Sequence, residues 1–293
     1  MFERNIFSAA FITIASILLT ACGGGQDRQV IQNKGSDTLV NVAQAWAEAY
    51  QEVDPSTVVA VSGGGSGTGI AALINGTVDI ANASRAMKEK EIKLARDSGH
   101  DPLQHIVGYD ALAVFLHADN PLNSISLEQL AEIYGDGGTY TRWTDLGVEV
   151  PGCEDQTMVV VSRQNNSGTY AYFRGTVLGK GDFRLGTRDM HGSKDVVDLV
   201  ENTPCAIGYS GLAYATDHVK LGCVSDKTGG PCTSPTVSTA SDGSYPIARP
   251  LLMYTNGEPT GYVGEYLNWI KSDVGQCIIL EKGYAPANPV TCG

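Results

Sequence analysis

The chain has 293 residues with 32 acidic and 20 basic side chains, a formal net charge of −12, and 42% of it is hydrophobic. That balance argues against a basic nucleic-acid binder and against wholesale disorder. Charged residues make up only 18%, glycine is plentiful at 35 and the 13 tyrosines outnumber the 6 phenylalanines, which suits a compact, loop-rich extracytoplasmic protein of one or two domains.

The first residues read as an address rather than as structure. Ile6 to Ala21 is an almost unbroken run of apolar and small residues ending Leu19-Thr20-Ala21-Cys22, too short for a comfortable membrane span of ~20 residues. It resembles a bacterial lipoprotein signal. The resemblance implies cleavage before Cys22 and lipidation of that residue, so that Gly23-Gly24-Gly25 becomes a flexible tether. Glu3 cancels Arg4 and makes the n-region poor, which leaves a plain secretory signal as the second reading.

Beyond the leader, apolar periodicity switches repeatedly between helix and strand. Leu39, Val42, Ala43, Trp46 and Tyr50 recur at helical spacing, and Val58 to Val61 reads as a buried strand. Leu127, Leu130, Ala131 and Tyr134 form the next helical face, with Ser126 and Gln129 placed as a capping box. Met158 to Val161 reads as a second buried strand, and Val263, Tyr266, Leu267 and Ile270 as a late helix. Between them, residues 222–246 are rich in Gly, Ser, Thr and Pro and read as a long irregular loop. The class is α/β throughout.

With Cys22 lipidated, six cysteines remain, an even number outside the reducing cytosol. Sequence alone does not choose among their connectivities. The expected set joins Cys223 with Cys232 and Cys277 with Cys292, which leaves Cys153 with Cys205. A metal centre is not expected, because no Cys-x-x-Cys occurs and the five histidines lack ligand spacing. No cofactor is implied.

The informative feature is a tripeptide repeated in comparable surroundings. Ser36-Asp37-Thr38 follows Gly35 and opens the Leu39 helix, and Ser66-Gly67-Thr68 follows three glycines. Ser167-Gly168-Thr169 follows the Met158 strand. Taken singly, each is an ordinary helix cap, and Ser234-Pro235-Thr236 shows how easily the pattern arises in a loop. Taken together, three helix starts would offer unpaired backbone N–H groups, hydroxyls and a partial charge near +0.5 each, the makings of an anion site. Arg163 and Arg85 stand close by in sequence, and their guanidinium forks match a tetrahedral oxyanion, although an isolated Arg is more commonly a surface or ion-pair residue.

Rival chemistries fail on spacing. Gly63-x-Gly65 has Thr68 where a dinucleotide loop needs its third glycine, and Gly179-Lys180 is followed by Gly181 where a phosphate-binding loop needs Ser or Thr. Ser66 has Thr68 where a nucleophile elbow needs glycine.

At these same residues the chain resembles the periplasmic phosphate-binding proteins that feed the ABC-type phosphate importer. The match runs through Gly35 to Leu39, Gly65 to Gly69, Asp79 to Arg85, Leu127 to Tyr134, Arg163 to Thr169, Ala206 to Tyr209, Arg249-Pro250-Leu251 and Gly283 to Pro286. It implies a two-lobed, type II solute-binding fold with two hinge crossings, near Val107 to Asp110 and near Tyr245 to Pro250. Lobe one would hold residues 26–107 and 248–293, and lobe two residues 108–247. Phosphate would sit between them, bound by Ser36, Thr38 and the backbone N–H of Leu39, by Ser66 and Ser84, and by Arg163, Ser167, Gly168 and Thr169.

Well-known family members carry Asp where this chain has Arg85, and that Asp accepts a hydrogen bond from protonated phosphate; other members carry Ser-Arg there, so the change does not exclude phosphate. Arg85 is expected to add charge instead, with Asp37 as the replacement acceptor and Asp110 as its rival. The resemblance implies no enzyme activity. It implies instead a lipid-anchored periplasmic receptor, a monomer, whose partner is the permease of the importer. Gly23 mildly favours the outer membrane as its anchorage. A phosphate sensor or scavenger independent of the importer is the first alternative, and a secreted phosphatase the second.

Overall fold

The structure, a computed structural model, describes residues 28–293. The expected signal peptide, the lipidated Cys22 and the glycine tether lie outside the described residues.

The chain opens with strand β1 (Gln29–Gly35), helix α1 (Val40–Val53), strand β2 (Thr57–Ser62), helix α2 (Ser66–Ile74), strand β3 (Ile80–Ala83) and helix α3 (Glu89–Asp97). β1 pairs in parallel with both β2 and β3, the arrangement that crossover helices impose. α1 buries Val42, Ala43, Trp46 and Tyr50, the face its periodicity marks out, and Trp46 Nε1 donates to Gly275 O at 2.7 Å. Val58 to Val61 forms β2 as expected but is only partly buried, because β2 is the sheet's edge and β1 alone flanks it.

Strand β4 (Pro102–His117) is 16 residues long and serves two sheets. Pro102 to Ala111 pair antiparallel with strand β10 (Ala248–Asn256), and Leu112 to His117 pair with strands β8 (Ala206–Gly211) and β9 (Val219–Ser225). The change of partner falls between Ala111 and Leu112, just past the expected Val107 to Asp110. The chain returns through Tyr245 and Pro246 into β10, which pairs with β3 and β4.

The intervening segment forms the second lobe: β5 (Ser124–Ser126), α4 (Leu127–Tyr134), β6 (Val159–Arg163), α5 (Gly168–Thr176), β7 (Arg188–Met190) and α6 (Ser193–Glu201) precede β8 and β9. β6 lies parallel to β7 and β8. The α4 capping box is present, with Gln129 N donating to Ser126 Oγ at 3.0 Å and Ser126 N to Gln129 Oε1 at 2.9 Å. This lobe's core packs Leu130, Ile133, Trp143, Phe173 and Tyr209, with the rings of Phe173 and Tyr209 stacked at 3.9 Å. Residues 222–246 are less irregular than expected: β9 runs on to Ser225, and α7 (Val237–Ser241) forms because Thr236 Oγ1 accepts from Thr239 N. After β10 come α8 (Gly261–Ile270), α9 (Asp273–Glu281) and β11 (Ala285–Pro286), which close the first lobe; β11 pairs with β4.

Disulfides join Cys153 to Cys205, Cys223 to Cys232 and Cys277 to Cys292. No helix among the described residues is long and apolar enough to cross a membrane.

Candidate functional site

The strands deliver their carboxyl ends, and the loops that follow them, to the seam between the lobes. After β1, the chain turns through a short 3₁₀ segment (Asp37–Leu39) that buries Thr38 and leads into α1. After β2, Gly64 and Gly65 adopt φ of +107° and +91°, a left-handed backbone that favours glycine. A Cβ on Gly65 would also lie 2.7 Å from Asn166 O in the opposite lobe. α2 then begins at Ser66. After β6, Ser167 caps α5, its Oγ accepting from Thr169 N at 3.1 Å and Tyr170 N at 3.3 Å. The plain capping role of Ser167 is therefore real, and its hydroxyl hydrogen remains available beyond it.

The three helix starts meet. Ser36 Oγ donates to Ser84 Oγ at 2.9 Å, and Ser84 N donates to Ser66 Oγ at 3.0 Å. Thr38 Oγ1 lies 3.1 Å from Thr169 Oγ1, a contact that spans 131 residues and both lobes. Gly67 N donates to Asn166 O at 2.9 Å, and Asn166 Nδ2 to Gly64 O at 3.0 Å. Gly168 sits so close to the first lobe that a Cβ there would be 2.2 Å from Ser66 Oγ. Ser36, Thr38, Ser66, Ser84, Ser167 and Thr169 are all buried. Leu39 joins the turn, but its N–H is spent on Ser36 O at 3.0 Å, because a 3₁₀ segment uses that donor within its own turn.

Arg163 leaves the end of β6 and is 1% exposed. Its Nη1 donates to Ser193 Oγ at 3.0 Å, and its Nη2 donates to His191 O at 2.7 Å and to Asp37 Oδ2 at 3.3 Å across the seam. Nε has no partner among the described residues. Burial pulls the guanidinium's pKa down, and the Asp37 carboxylate opposes the shift. Asp37 is itself fixed from both sides, Oδ1 accepting from Gly64 N at 2.8 Å and its carbonyl from Tyr214 Oη at 2.6 Å.

Arg85 is not brought into this cluster. Its Nη1 and Nη2 grip the two carboxylate oxygens of Glu91, each at 2.8 Å, and Nη1 also donates to Ala86 O. The physical reason is local. Ser84 faces the seam, while Arg85 finds a bidentate partner six residues on at the start of α3, which occupies its fork. Burial alone would raise the Glu91 carboxyl, but Arg85 and the Lys88 N–H hold it below its ordinary range.

A second guanidinium, which lies within a matched segment of the sequence but is assigned no role there, takes a place at the seam. Arg249 of β10 is 1% exposed and donates from Nε and Nη2 to Asp110 Oδ2 at 3.1 and 2.8 Å. The two residues are register partners on β10 and β4. Burial pushes the Asp110 carboxyl up, and Arg249 works against that. A signal for the pair exists: each strand carries one charge of opposite sign within an apolar run, Asp110 before Ala111 to Leu116 and Arg249 before Leu251 to Tyr254. A buried lone charge is costly, so such charges imply each other.

With Arg163 against Asp37 and Arg249 against Asp110, formal charge at the seam cancels. What remains is a concentration of oriented donors: hydroxyls, helix starts and one guanidinium edge. That chemistry suits a small anion of tetrahedral geometry. Among the described residues no group of His, Cys, Asp and Glu is arranged to hold a metal ion.

Two α/β lobes joined by a shared strand, with donors of both facing one cleft, define a solute-binding protein. Residues 21–274 match the profile of the PBP superfamily domain. The chain is 33% identical over 267 residues to the phosphate-binding protein PstS of Pseudomonas aeruginosa, covering 87% of this chain and 82% of that one. It is 30% identical to PstS of Bacillus subtilis over 86% and 79% of the two chains. The chain belongs to the PBP superfamily, among the PstS phosphate-binding proteins. Its fold is similar to that of a phosphate ABC transporter substrate-binding protein from Clostridium perfringens with bound phosphate, at a TM-score of 0.77 and 27% identity over 89% of this chain and 100% of the other. An ABC-type phosphate transport receptor from Vibrio cholerae aligns at a TM-score of 0.69 and 26% identity over 87% and 99%.

Proposed function

We propose that the chain is a non-catalytic receptor that captures inorganic phosphate between its lobes and delivers it to an ABC-type importer. The observation that carries this reading is the meeting of three helix starts and the Arg163 guanidinium in one buried seam, in a chain whose relatives are PstS proteins. Ser36, Thr38, Ser66 and Ser84 donate from residues 26–107 and 248–293; Arg163, Ser167, Gly168 and Thr169 donate from residues 108–247. The ligand is held by dipoles and directed hydrogen bonds, not by net positive charge, so the overall charge of −12 is no obstacle.

Asp37 reads the proton. Its carboxylate borders Arg163, accepts a hydrogen from protonated phosphate and opposes sulfate, which has none. In the cell the protein is a periplasmic monomer tethered to a membrane through lipidated Cys22, with the importer's permease as its partner.

Parallel calorimetric titrations of ligand-stripped protein with phosphate, sulfate and a phosphoester test the reading. Phosphate should bind and sulfate should not; binding of neither, or turnover of the ester, would overturn it. Asp37→Asn should narrow the gap between phosphate and sulfate. Mass spectrometry of membrane-extracted protein should find Cys22 acylated.

A further inference from the structure

Arg249 stands one step behind the anion site, and what it touches assigns it a task. Nη2 donates to Thr38 Oγ1 at 3.3 Å and Nη1 to Ser84 O at 3.3 Å, so one guanidinium ties down the first loop and the Ser84 segment together. Its Cζ lies over the Tyr172 ring, 5.7 Å from the centroid, and Tyr172 belongs to α5, one turn after Thr169. Tyr172 Oη also donates to Ala248 O, next to Arg249. Asp110 holds the guanidinium from the adjacent strand and cancels its charge.

A threonine hydroxyl has one hydrogen and two lone pairs, and arginine has donors only. Because Arg249 donates to Thr38 Oγ1, the Thr38 hydrogen has to point elsewhere. The other partner of that oxygen among the described residues is Thr169 Oγ1, across the seam. Arg249 thus occupies one lone pair of Thr38 Oγ1 and restricts the hydroxyl's rotation, leaving the hydrogen and the second lone pair to the Thr169 side of the seam. By drawing on that oxygen it makes the hydrogen a stronger donor when it points there.

Resting on the phosphate-binding reading above, we infer that Arg249 is a positioning residue for anion affinity: it acts through Thr38, orienting and polarising the hydroxyl, while Asp110 keeps the guanidinium in place. A buried ion pair is a poor stabilising device compared with apolar residues of similar volume. The pair's contacts with Thr38 and Ser84 give it a purpose that stability does not.

A double-mutant cycle tests this. Arg249→Met combined with Asp110→Asn, which leaves no lone buried charge, is made in the Thr38 background and in a Thr38→Val background. Phosphate affinity is measured by calorimetry on all four proteins, with thermal unfolding of the ligand-free forms as a check on folding. In the Thr38 background the pair replacement should weaken binding about 10-fold or more, the effect of losing one well-directed hydrogen bond to a charged acceptor. In the Thr38→Val background it should cost less than about 3-fold, since no hydroxyl is left to orient. Equal losses in both backgrounds, or no loss in the first, would overturn the inference while leaving the phosphate-binding reading intact. If the replaced pair does not fold, Arg249→Lys takes its place in the same cycle. It keeps the charge beside Asp110 but loses the fork, and its defect should likewise vanish with Thr38→Val; a defect that persists refutes the proposal. Absence of phosphate binding by the unaltered protein would defeat the proposed function itself and this inference with it.

Discussion

Replacing Gly168 by alanine should block closure while sparing the fold. Gly168 opens α5 and its φ lies outside the left-handed region, so a methyl group suits the helix itself and, by propensity, favours it. The obstacle lies wholly in the opposite lobe. The new Cβ would stand 2.2 Å from Ser66 Oγ, 2.5 Å from Ser84 Oγ and 3.0 Å from Ser66 Cβ. Those hydroxyls are not free to swing aside, since Ser84 Oγ accepts from Ser36 and Ser66 Oγ accepts from Ser84 N. Relief therefore requires the lobes to part by roughly 1 Å, which stretches hydrogen bonds of ordinary length to about 4 Å and ends them. The bonds at risk are Thr38 to Thr169 at 3.1 Å, Gly67 N to Asn166 O at 2.9 Å and Asn166 Nδ2 to Gly64 O at 3.0 Å. An anion held from both sides would lose about two charge-assisted bonds worth ~1.5 to 3 kcal/mol each. The sum, ~3 to 6 kcal/mol, corresponds to ~10² to 10⁴-fold weaker phosphate binding. Calorimetry measures that loss, small-angle scattering with and without phosphate reports closure, and unfolding of the ligand-free protein should be unchanged or slightly shifted upward. A variant that binds within about 3-fold of the parent would refute the steric argument, and with it the closeness of the two lobes at Gly168.

Arg163→Ala should weaken phosphate binding by ~2 to 5 kcal/mol, because a buried anion loses its charged partner; unchanged calorimetric affinity would remove Arg163 from the site. Arg85→Ala should leave phosphate affinity unaltered and cost about 1 kcal/mol of stability in urea, the fork on Glu91 being bidentate and only part-buried. A tenfold drop in affinity would show that Arg85 does reach the ligand. His105 supplies a pH dependence: burial and the neighbouring Lys271 ammonium hold its pKa below the ordinary 6.5, with Glu258 opposing. The unfolded chain then binds more protons, so this contribution is complete above about pH 6.5 and is lost as pH falls below it. Denaturation at pH 7.5 and 5.5 should show the loss, and His105→Gln should flatten it; an equal slope in the variant would place the effect elsewhere.

What could be read before the fold was known is what local chemistry encodes. A helix start is written within four residues, so Ser36 to Leu39, Ser66 to Gly69 and Ser167 to Thr169 are visible as helix starts, although only Ser167 caps through its side chain, and Ser126 with Gln129 is visible as a capping box. The helical faces of α1, α4 and α8 were visible for the same reason, since periodicity is a property of neighbours. β2 departs from the buried strand its apolar run suggests, because such a run does not say whether one strand or two will flank it. Residues 222–246 hold more structure than their composition suggests, because a five-residue helix such as α7 leaves too short a pattern to detect.

The two arginines show where such reading stops. Arg85 adjoins Ser84 in sequence and is grouped with it on that ground, yet the chain bends at these two residues after β3 ends, so Ser84 faces the seam while Arg85 turns to Glu91. Arg249 lies far from every helix start in sequence and carries no motif role, yet its fork reaches Asp110 across 139 residues and Thr38 across 211. Distance along the chain therefore ranks these two groups in the wrong order, while burial of charge ranks them correctly. A guanidinium inside a protein has to be paired, so an Arg in one apolar strand predicts a carboxylate in another, and that demand brings β4 and β10 into register where the lobes join. The three helix starts are legible one by one because each start is local. That the starts face one another is the work of the strand pairing behind them, and Arg249 is where that pairing touches Thr38 and Ser84.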